Sequence, residues 1–216
     1  MSSGASGVQP PLQERSRRTL ENICQAVETL LGTRDFDDIS VADIVQEAGC
    51  STGSFYARFA SKDDLLPYLY ERYDLDLRPR ILARMGGIPW ESMSLRETVQ
   101  AIVDHTIDMY VERRHLLRAV VVYARTRPRE ISAATRQVRE GVTDLPAKAM
   151  ARFASEIRHD DPMEAARIGF FVMTAAAREK ILFEAPQAAS LRLSRDRLKR
   201  ELARGLYAYL TADAGQ

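Results

Sequence analysis

Cysteine is scarce in this chain of 216 residues, which contains only Cys24 and Cys50. Two cysteines do not provide the disulfide framework that holds many small secreted domains together. We therefore expect both side chains to act as small core residues in a reducing compartment.

Long apolar runs are also absent. No segment approaches the roughly 20 consecutive apolar residues that a membrane-spanning helix needs. Residues 1–13 are rich in serine, glycine, proline and glutamine, and they lack the apolar core of a signal peptide. These features predict a cytoplasmic protein without a membrane partner, with a disordered tail over residues 1–13.

A large excess of charge of one sign is missing as well. The formal net charge is +1, so the whole chain lacks the basic excess of many nucleic-acid-binding proteins. Residues 1–60 are net acidic, with five cations (Arg15, Arg17, Arg18, Arg34 and Arg58) against eight acids (Glu14, Glu21, Glu28, Asp35, Asp37, Asp38, Asp43 and Glu47). If this segment binds DNA, its cations must converge on one face. The acids of the 34–38 loop must then point away from that face, and few counterions are released on binding.

Enzyme signatures do not occur in the sequence. There is no Walker loop, no dinucleotide-binding glycine fingerprint and no G-x-S-x-G elbow. The three histidines, His105, His115 and His159, form no recognisable catalytic set with serine or cysteine. His105 and Asp108 share one side of a predicted helix, but two ligands are too few for a closed metal site. We expect no catalytic residues, no cofactor and no bound metal.

Helical periodicity is what the chain does contain, and no strand pattern interrupts it. It predicts an all-α fold of about nine helices. We place one domain at residues 14–84, with a three-helix helix-turn-helix architecture, and a larger helical domain at residues 85–216. The boundary between them falls near the glycine pair at residues 86–87.

The strongest local pattern runs from Ser40 to Asp64. Ser40 caps a short helix and Asp43, three residues later, approximates a capping box. Gly49 ends that helix, because glycine accepts the left-handed conformation without a Cβ penalty. Ser51 caps the next helix almost at once, which predicts a helix-turn-helix at about residues 40–59.

The second helix of this pair, predicted over residues 52–59, has two unlike faces. Phe55 and Phe59 share the face that points into the domain. The opposite face has Gly53 and Ala57 at its centre, with Ser54 and Tyr56 beside them and Arg58 further round. Small residues admit a helix into the major groove of DNA, hydroxyls bond phosphates or base edges, and arginine pairs with phosphate or guanine. The alternative is that Gly53 only eases helix packing and Tyr56 is an ordinary surface aromatic.

The run A-G-C-S-T-G-S-F-Y-A-R-F-A-S-K-D-D-L closely resembles the recognition region of the TetR family of bacterial transcriptional regulators. The resemblance extends over roughly residues 15–73. Cys50 stands where that family usually has a small aliphatic residue, and Arg58 stands where it usually has His or Tyr. The resemblance and the face together assign DNA binding to these residues: Arg17, Thr52, Gly53, Ser54, Tyr56, Ala57, Arg58 and Lys62.

Lys62 is predicted at the first turn of the fourth helix, where a cation and free backbone N–H groups together suit a phosphate oxygen. The alternative is a lysine that is merely solvated. Pro67 then falls past the first turn, so we expect it to remove a backbone hydrogen bond and to kink this helix.

The eighth predicted helix is apolar on more than one face, and a helix of that kind must be buried widely. The ninth, over about residues 194–210, adds a further set of apolar positions, and we consider the two together. The resemblance implies that they form a homodimer; the alternative is that they complete the core of a single subunit. It also implies an effector pocket within helices five to eight for a small apolar or aromatic molecule. Its candidate lining residues are His105, Met109, Tyr123, Met150, Phe153, Phe170 and Met173.

The resulting expectation is a ligand-responsive repressor that binds a palindromic double-stranded DNA operator as a dimer and is released by a small-molecule effector. Two alternatives from other classes stay open. One is a helical sensor or carrier of small molecules that does not bind DNA. The other is an enzyme built on the C-terminal helices.

Overall fold

The computed structural model describes residues 12–85, 88–127, 144–184 and 191–213. Within these ranges the chain is helical and has no strands, which confirms the all-α prediction. The helices are α1 (Leu12–Leu31), α2 (Val41–Glu47), α3 (Thr52–Tyr56), α4 (Leu65–Met85), α5 (Leu95–Glu112), α6 (Arg114–Thr126), α7 (144–151), α8 (Pro162–Arg178) and α9 (Arg195–Thr211). Short 3₁₀ turns cover Phe36–Asp38, Lys62–Asp64 and Trp90–Ser92, and a π-helical turn over Glu179–Phe183 follows α8.

The predicted tail lies mostly outside the described residues, although Leu12 and Gln13 already belong to α1. The glycine pair at 86–87 is likewise outside them. The chain divides into an N-terminal unit, Met1–Leu69, and a C-terminal unit, Tyr70–Gln216. The sequence prediction ended the first domain at residue 84, whereas this division falls inside α4. Two neighbouring tyrosines show why, since Tyr68 packs on Phe59 and Tyr70 packs on Tyr123.

Three helices build the core of the N-terminal unit. Buried residues of α1 include Ile23 and Val27, and they are joined by Ile44 of α2 and Phe55 of α3. Cys24 is buried among the core residues of α1, as predicted. Cys50 is half-buried, and burial raises the pKa of its thiol although the nearby Arg58 charge acts in the opposite direction.

Local signals set the ends of α2. The Ser40 side chain accepts a hydrogen bond from the Asp43 backbone N–H at 3.1 Å, and the Ser40 N–H donates to the Asp43 carboxylate at 2.8 Å. This is the predicted capping box. Gly49 has φ +61°, the left-handed conformation that the sequence required at the end of the helix.

The start of α4 differs from the prediction. A 3₁₀ turn occupies Lys62–Asp64 and the α-helix begins at Leu65. Pro67 therefore lies in the first turn, where the backbone nitrogen has no intrahelical acceptor to lose. The predicted loss of a hydrogen bond at Pro67 was wrong, and Pro79 is the proline that lies inside the helix.

Helices α5, α8 and α9 share the main core of the C-terminal unit. A capping box at Ser94 and Glu97 begins α5. Asp161 caps α8, because its carboxylate accepts from the N–H groups of Met163 and Glu164 at 2.9 and 3.0 Å. No helix within the described residues is both long and apolar enough to cross a membrane.

Helix α9 packs against α5 and α8. Lys199 pairs with Asp108 of α5 at 2.6 Å, and Arg195 pairs with the same carboxylate. Burial raises the pKa of Asp108, but these two cations outweigh it and leave the pKa lowered. Against α8, the helices approach so closely that a Cβ added at Gly169 would lie 2.6 Å from Leu206 Cδ1.

Candidate nucleic-acid interface and ligand cavity

Helix α3 is five residues long and begins at the predicted cap. Ser51 Oγ accepts a hydrogen bond from the Ser54 N–H at 3.1 Å. The helix ends at Tyr56, three residues earlier than the predicted end at Phe59. Its last turn is nevertheless continued by backbone hydrogen bonds, since Phe59 N–H donates to Phe55 O at 3.1 Å.

The two faces of α3 are as the sequence predicted. Phe55 and Phe59 are buried with their ring centroids 5.5 Å apart. Thr52, Gly53 and Ala57 are exposed, and the Tyr56 side chain stands out at 53% exposure. A Cβ at Gly53 would meet only Ser51 Oγ, at 3.9 Å. The outward side of α3 is therefore a narrow ridge of small and hydroxylated residues.

Arg58 is half-buried and makes contacts inside the unit. Its Nη1 donates to the carbonyl of Ser54, the middle residue of α3. Its Nη2 donates to the carbonyl and the hydroxyl of Ser16 in α1, at 3.1 and 3.0 Å. The guanidinium thus joins α3 to the beginning of α1. The sequence gives no sign of this link, because its partners are 42 residues apart.

Lys62 also lies against the protein. Its Nζ donates to the carbonyls of Phe36 and Asp37 at 3.0 and 3.1 Å and lies 4.8 Å from the centroid of the Phe36 ring. The acids of the 34–38 loop were expected to point away from the DNA-facing surface, and Lys62 contacts this loop through backbone carbonyl oxygens. The contacts are made by carbonyl oxygens, so Lys62 braces the loop.

The most exposed cations of this unit lie in α1. Arg15, Arg17 and Arg18 are all exposed, and Arg17 lies 4.0 Å from Glu21. Arg34, by contrast, pairs with Asp43 at 3.2 Å. Hydrogen bonds from Ser40, helped by the Arg34 charge, hold the pKa of Asp43 below its ordinary value of 3.8.

A family of known proteins matches part of the N-terminal unit. Residues 23–69 match the model of the bacterial regulatory proteins of the tetR family. An uncharacterized HTH-type transcriptional regulator of Bacillus subtilis (strain 168), YwcC, is 33% identical over 103 residues. A second regulator of that organism described in the same terms, YvdT, is 34% identical over 67 residues. These matches span 47% and 31% of this chain, and 46% and 34% of the two relatives, so the chain matches less than half the length of either.

Residues 23–69 are thus similar to the bacterial regulatory proteins of the tetR family. Solved structures extend the likeness of fold beyond this matched segment. A putative TetR-family transcriptional regulator from Mesorhizobium loti MAFF303099 superposes with a TM-score of 0.65 at 20% identity, covering 91% of this chain and 96% of that one. A TetR-like regulator from Rhodococcus sp. RHA1 gives 0.60 at 16% identity, covering 95% and 100%. The fold of the chain beyond residues 23–69 is thus similar to that of these two structures.

Two of the predicted effector residues line a cavity of about 250 Å³ in the C-terminal unit. They are His105 and Met109 of α5. The other lining residues come from α4 and from the end of α5: Tyr73, Arg80, Ile81, Ala83, Glu112 and Arg113. The volume lies just below the roughly 300–1,000 Å³ of small-molecule sites, which suits a small ligand.

The other predicted effector residues lie elsewhere in the C-terminal unit. Met150 and Met173 are buried in the core shared by α5, α8 and α9, and Phe153 and Phe170 pack against that core. Tyr123 is buried with its ring centroid 6.2 Å from that of Tyr70. Helical periodicity cannot separate such core positions from cavity positions, because both face inward.

A patch of apolar side chains on α8 faces solvent. Ile168, Phe171 and Val172 are 45%, 63% and 60% exposed, and we call them the α8 patch. Leu182, on the π-helical turn that follows α8, is buried. Within the described residues, no group of three or more His, Cys, Asp or Glu side chains is placed to hold a metal ion.

Proposed function

We propose that this protein is a ligand-responsive transcriptional regulator, a repressor, that binds double-stranded DNA as a homodimer. The observation that carries the proposal is the exposed ridge of α3, backed by buried Phe55 and Phe59. A solvated helix face ordinarily carries long polar side chains, whereas this one is small at its centre. Such a face suits close approach to the major groove.

On this proposal each subunit lays α3 in a major groove. Gly53 and Ala57 admit the helix, and the hydroxyls of Thr52 and Ser54 reach phosphates or base edges. Tyr56 holds the DNA backbone. Phosphate charge is met by Arg17 and its neighbours in α1, since Arg58 and Lys62 are engaged within the unit.

The second subunit is proposed to cover the α8 patch. Three large apolar side chains exposed on one helix mark an association site on a soluble protein. A two-fold axis through α8 and α9 implies a palindromic operator, whose half-sites lie roughly 34–36 Å apart or a multiple of that distance.

The C-terminal unit is proposed to hold the effector in the cavity beside His105 and Met109. Ile81, Met109 and the Tyr73 ring favour an apolar or aromatic molecule. Effector binding lowers operator affinity if the effector binds preferentially to a subunit arrangement in which the two α3 helices no longer match the groove spacing. We place this activity in the cytoplasm, where an operator is accessible.

Selection against a random-sequence duplex pool, followed by competition binding across a salt series, tests the proposal. We expect enrichment of a palindromic duplex and an affinity that falls as salt rises. Footprinting on genomic DNA then identifies the operator. A protein that shows no salt-dependent affinity for any duplex is not a DNA-binding regulator, and the sensor or carrier then becomes the better reading.

A further inference from the structure

We infer that Arg58 is a positioning residue: it holds the first turns of α1 against α3, so that the arginines of α1 reach the phosphates beside the groove. The inference rests on the proposed DNA binding. It assigns to Arg58 a role different from the direct DNA contact that its place next to the α3 ridge indicates.

The geometry of the guanidinium carries the inference. Nη1 donates to the Ser54 carbonyl and Nη2 donates to both the carbonyl and the hydroxyl of Ser16. The planar, rigid fork of arginine suits acceptors on two different elements, which the single ammonium of lysine cannot match in the same way. One side chain therefore fixes the distance between α3 and the beginning of α1.

The hydrogen bonds from Arg58 to Ser16 also hold the neighbouring arginines of α1 in place. Arg15, Arg17 and Arg18 surround the anchored position, and all three are exposed. Cations at the start of a helix oppose its dipole, so this placement does not favour the stability of α1. It does place positive charge beside α3, on a unit whose first 60 residues are net acidic.

The other cations of the unit cannot replace this cluster without breaking existing contacts. Arg34 pairs with Asp43, and Lys62 donates to the carbonyls of Phe36 and Asp37. The counterions released on binding are then mostly those displaced by α1. Their number depends on whether Arg58 keeps α1 in place.

A double-mutant cycle tests the inference. The probe is the duplex that the wild-type protein selects from a random-sequence pool, and the readout is the slope of log affinity against log salt. The proteins are the wild type, Arg58→Met, Arg17→Ala and the double variant, with Arg58→Lys as the charge-conserving comparison. Far-UV circular dichroism and thermal melting establish that each variant is folded.

We expect Arg17→Ala to reduce the slope by about 0.9, the contribution of one phosphate. Arg58→Met should reduce it by at least as much, because the α1 arginines lose their position together. Adding Arg17→Ala to Arg58→Met should then change the slope little. Arg58→Lys should behave like Arg58→Met, although it keeps the charge.

Ser16→Ala provides a second route, since it removes one acceptor of Arg58 without changing any charge. We expect it to lower both affinity and slope, by less than Arg58→Met does. This variant keeps the inference testable even if substitutions at Arg58 prevent folding.

Two outcomes would overturn the inference. Additive effects of Arg17→Ala and Arg58→Met, with a wild-type slope for Arg58→Lys, identify Arg58 as a direct phosphate contact. A lower melting temperature with an unchanged slope identifies a purely structural link. An unchanged slope and affinity for Ser16→Ala would contradict a positioning role for the hydroxyl contact, since the Ser16 carbonyl remains an acceptor of Arg58 in that variant. If the wild type shows no salt-dependent duplex binding, the proposed function itself fails.

Discussion

At the scale of single residues, the cations of the N-terminal unit differ in the contacts that their side chains make. The Arg58 side chain donates to a carbonyl oxygen 42 residues away in the sequence, and the Lys62 side chain donates to carbonyl oxygens 25–26 residues away. Arg17 instead lies 4.0 Å from Glu21 of its own helix. Cations that the sequence pattern assigned to one role therefore make different kinds of contact.

The two glycines of the helix-turn-helix are needed for different reasons, Gly53 for the space beside the helix and Gly49 for its backbone conformation. Substitutions at the two positions should therefore have different effects. Gly53 has helical backbone and open space around it, so Gly53→Ala should raise the free energy of unfolding by roughly 0.5–1 kcal/mol. Gly53→Leu should also fold, yet bind the selected duplex at least tenfold more weakly because its side chain blocks close approach. Urea denaturation and competition binding measure the two effects.

Gly49→Ala is the matched contrast. At φ +61° a Cβ is strained, so this variant should lose about 1–2 kcal/mol of stability. Its folded fraction should still bind the duplex like the wild type. If Gly53→Leu bound as tightly as the wild type, the α3 ridge would not be the DNA-contacting surface.

At the scale of elements, helix starts are governed by short-range chemistry. Helix starts of this kind occur at Ser40 with Asp43, at Ser94 with Glu97, and at Asp161 with Pro162, each within four consecutive residues. A cap needs no tertiary partner, so the sequence is sufficient to identify it.

The α2 capping box predicts a pH dependence. Hydrogen bonds from Ser40, with the Arg34 charge, lower the pKa of Asp43 in the folded state below 3.8. A group with a lowered folded-state pKa contributes stability above its unfolded pKa and loses that contribution as pH falls through the folded pKa. The wild type should therefore lose stability between about pH 5 and pH 2, as its carboxylates become protonated.

Asp43→Asn should be less stable than the wild type at pH 7, and the difference should shrink towards pH 2. Urea denaturation at a series of pH values, followed by far-UV circular dichroism, measures this. Glu97→Gln, in the equivalent box of α5, shows whether the same trend occurs in the C-terminal unit. A stability difference for Asp43→Asn that stays constant with pH would show that the Asp43 charge does not contribute.

The α8–α9 contact predicts a second pair of substitutions. A Cβ at Gly169 would lie 2.6 Å from Leu206 Cδ1 and 3.0 Å from Tyr209 Cδ1, so Gly169→Ala forces the helices to shift. We expect a loss of about 1–3 kcal/mol, the usual range for overpacking. Gly205→Ala on α9 meets nothing within 4 Å and should be neutral or stabilising.

Thermal melting of the two variants side by side measures this difference. Equal melting temperatures would mean that the helices do not approach as closely as described. A destabilised Gly205→Ala would instead indicate that another surface covers that position.

At the scale of the whole molecule, the α8 patch predicts the state of assembly. Val172→Glu places a charge in the proposed interface and should convert the dimer to a monomer, because an uncompensated buried charge is costly. Sedimentation equilibrium measures the mass. Binding to the full palindrome should weaken more than binding to a single half-site.

Val122→Glu is the matched control, since Val122 is an exposed valine on α6 outside the patch. It should stay dimeric and bind the palindrome normally. A dimeric Val172→Glu protein would place the subunit interface elsewhere.

The sequence by itself determined the helices, their caps, the left-handed turn at Gly49 and the buried and exposed faces of α3. Each of these depends on chemistry within about one helical turn, so each leaves a periodic or positional signal. Only the tertiary structure decided that Arg58 and Lys62 brace the protein, that His105 and Met109 line a cavity while Met150 and Met173 fill a core, and that Ile168, Phe171 and Val172 stay exposed. These outcomes depend on which helices pack together, and residues far apart in the chain carry no shared period that would reveal it.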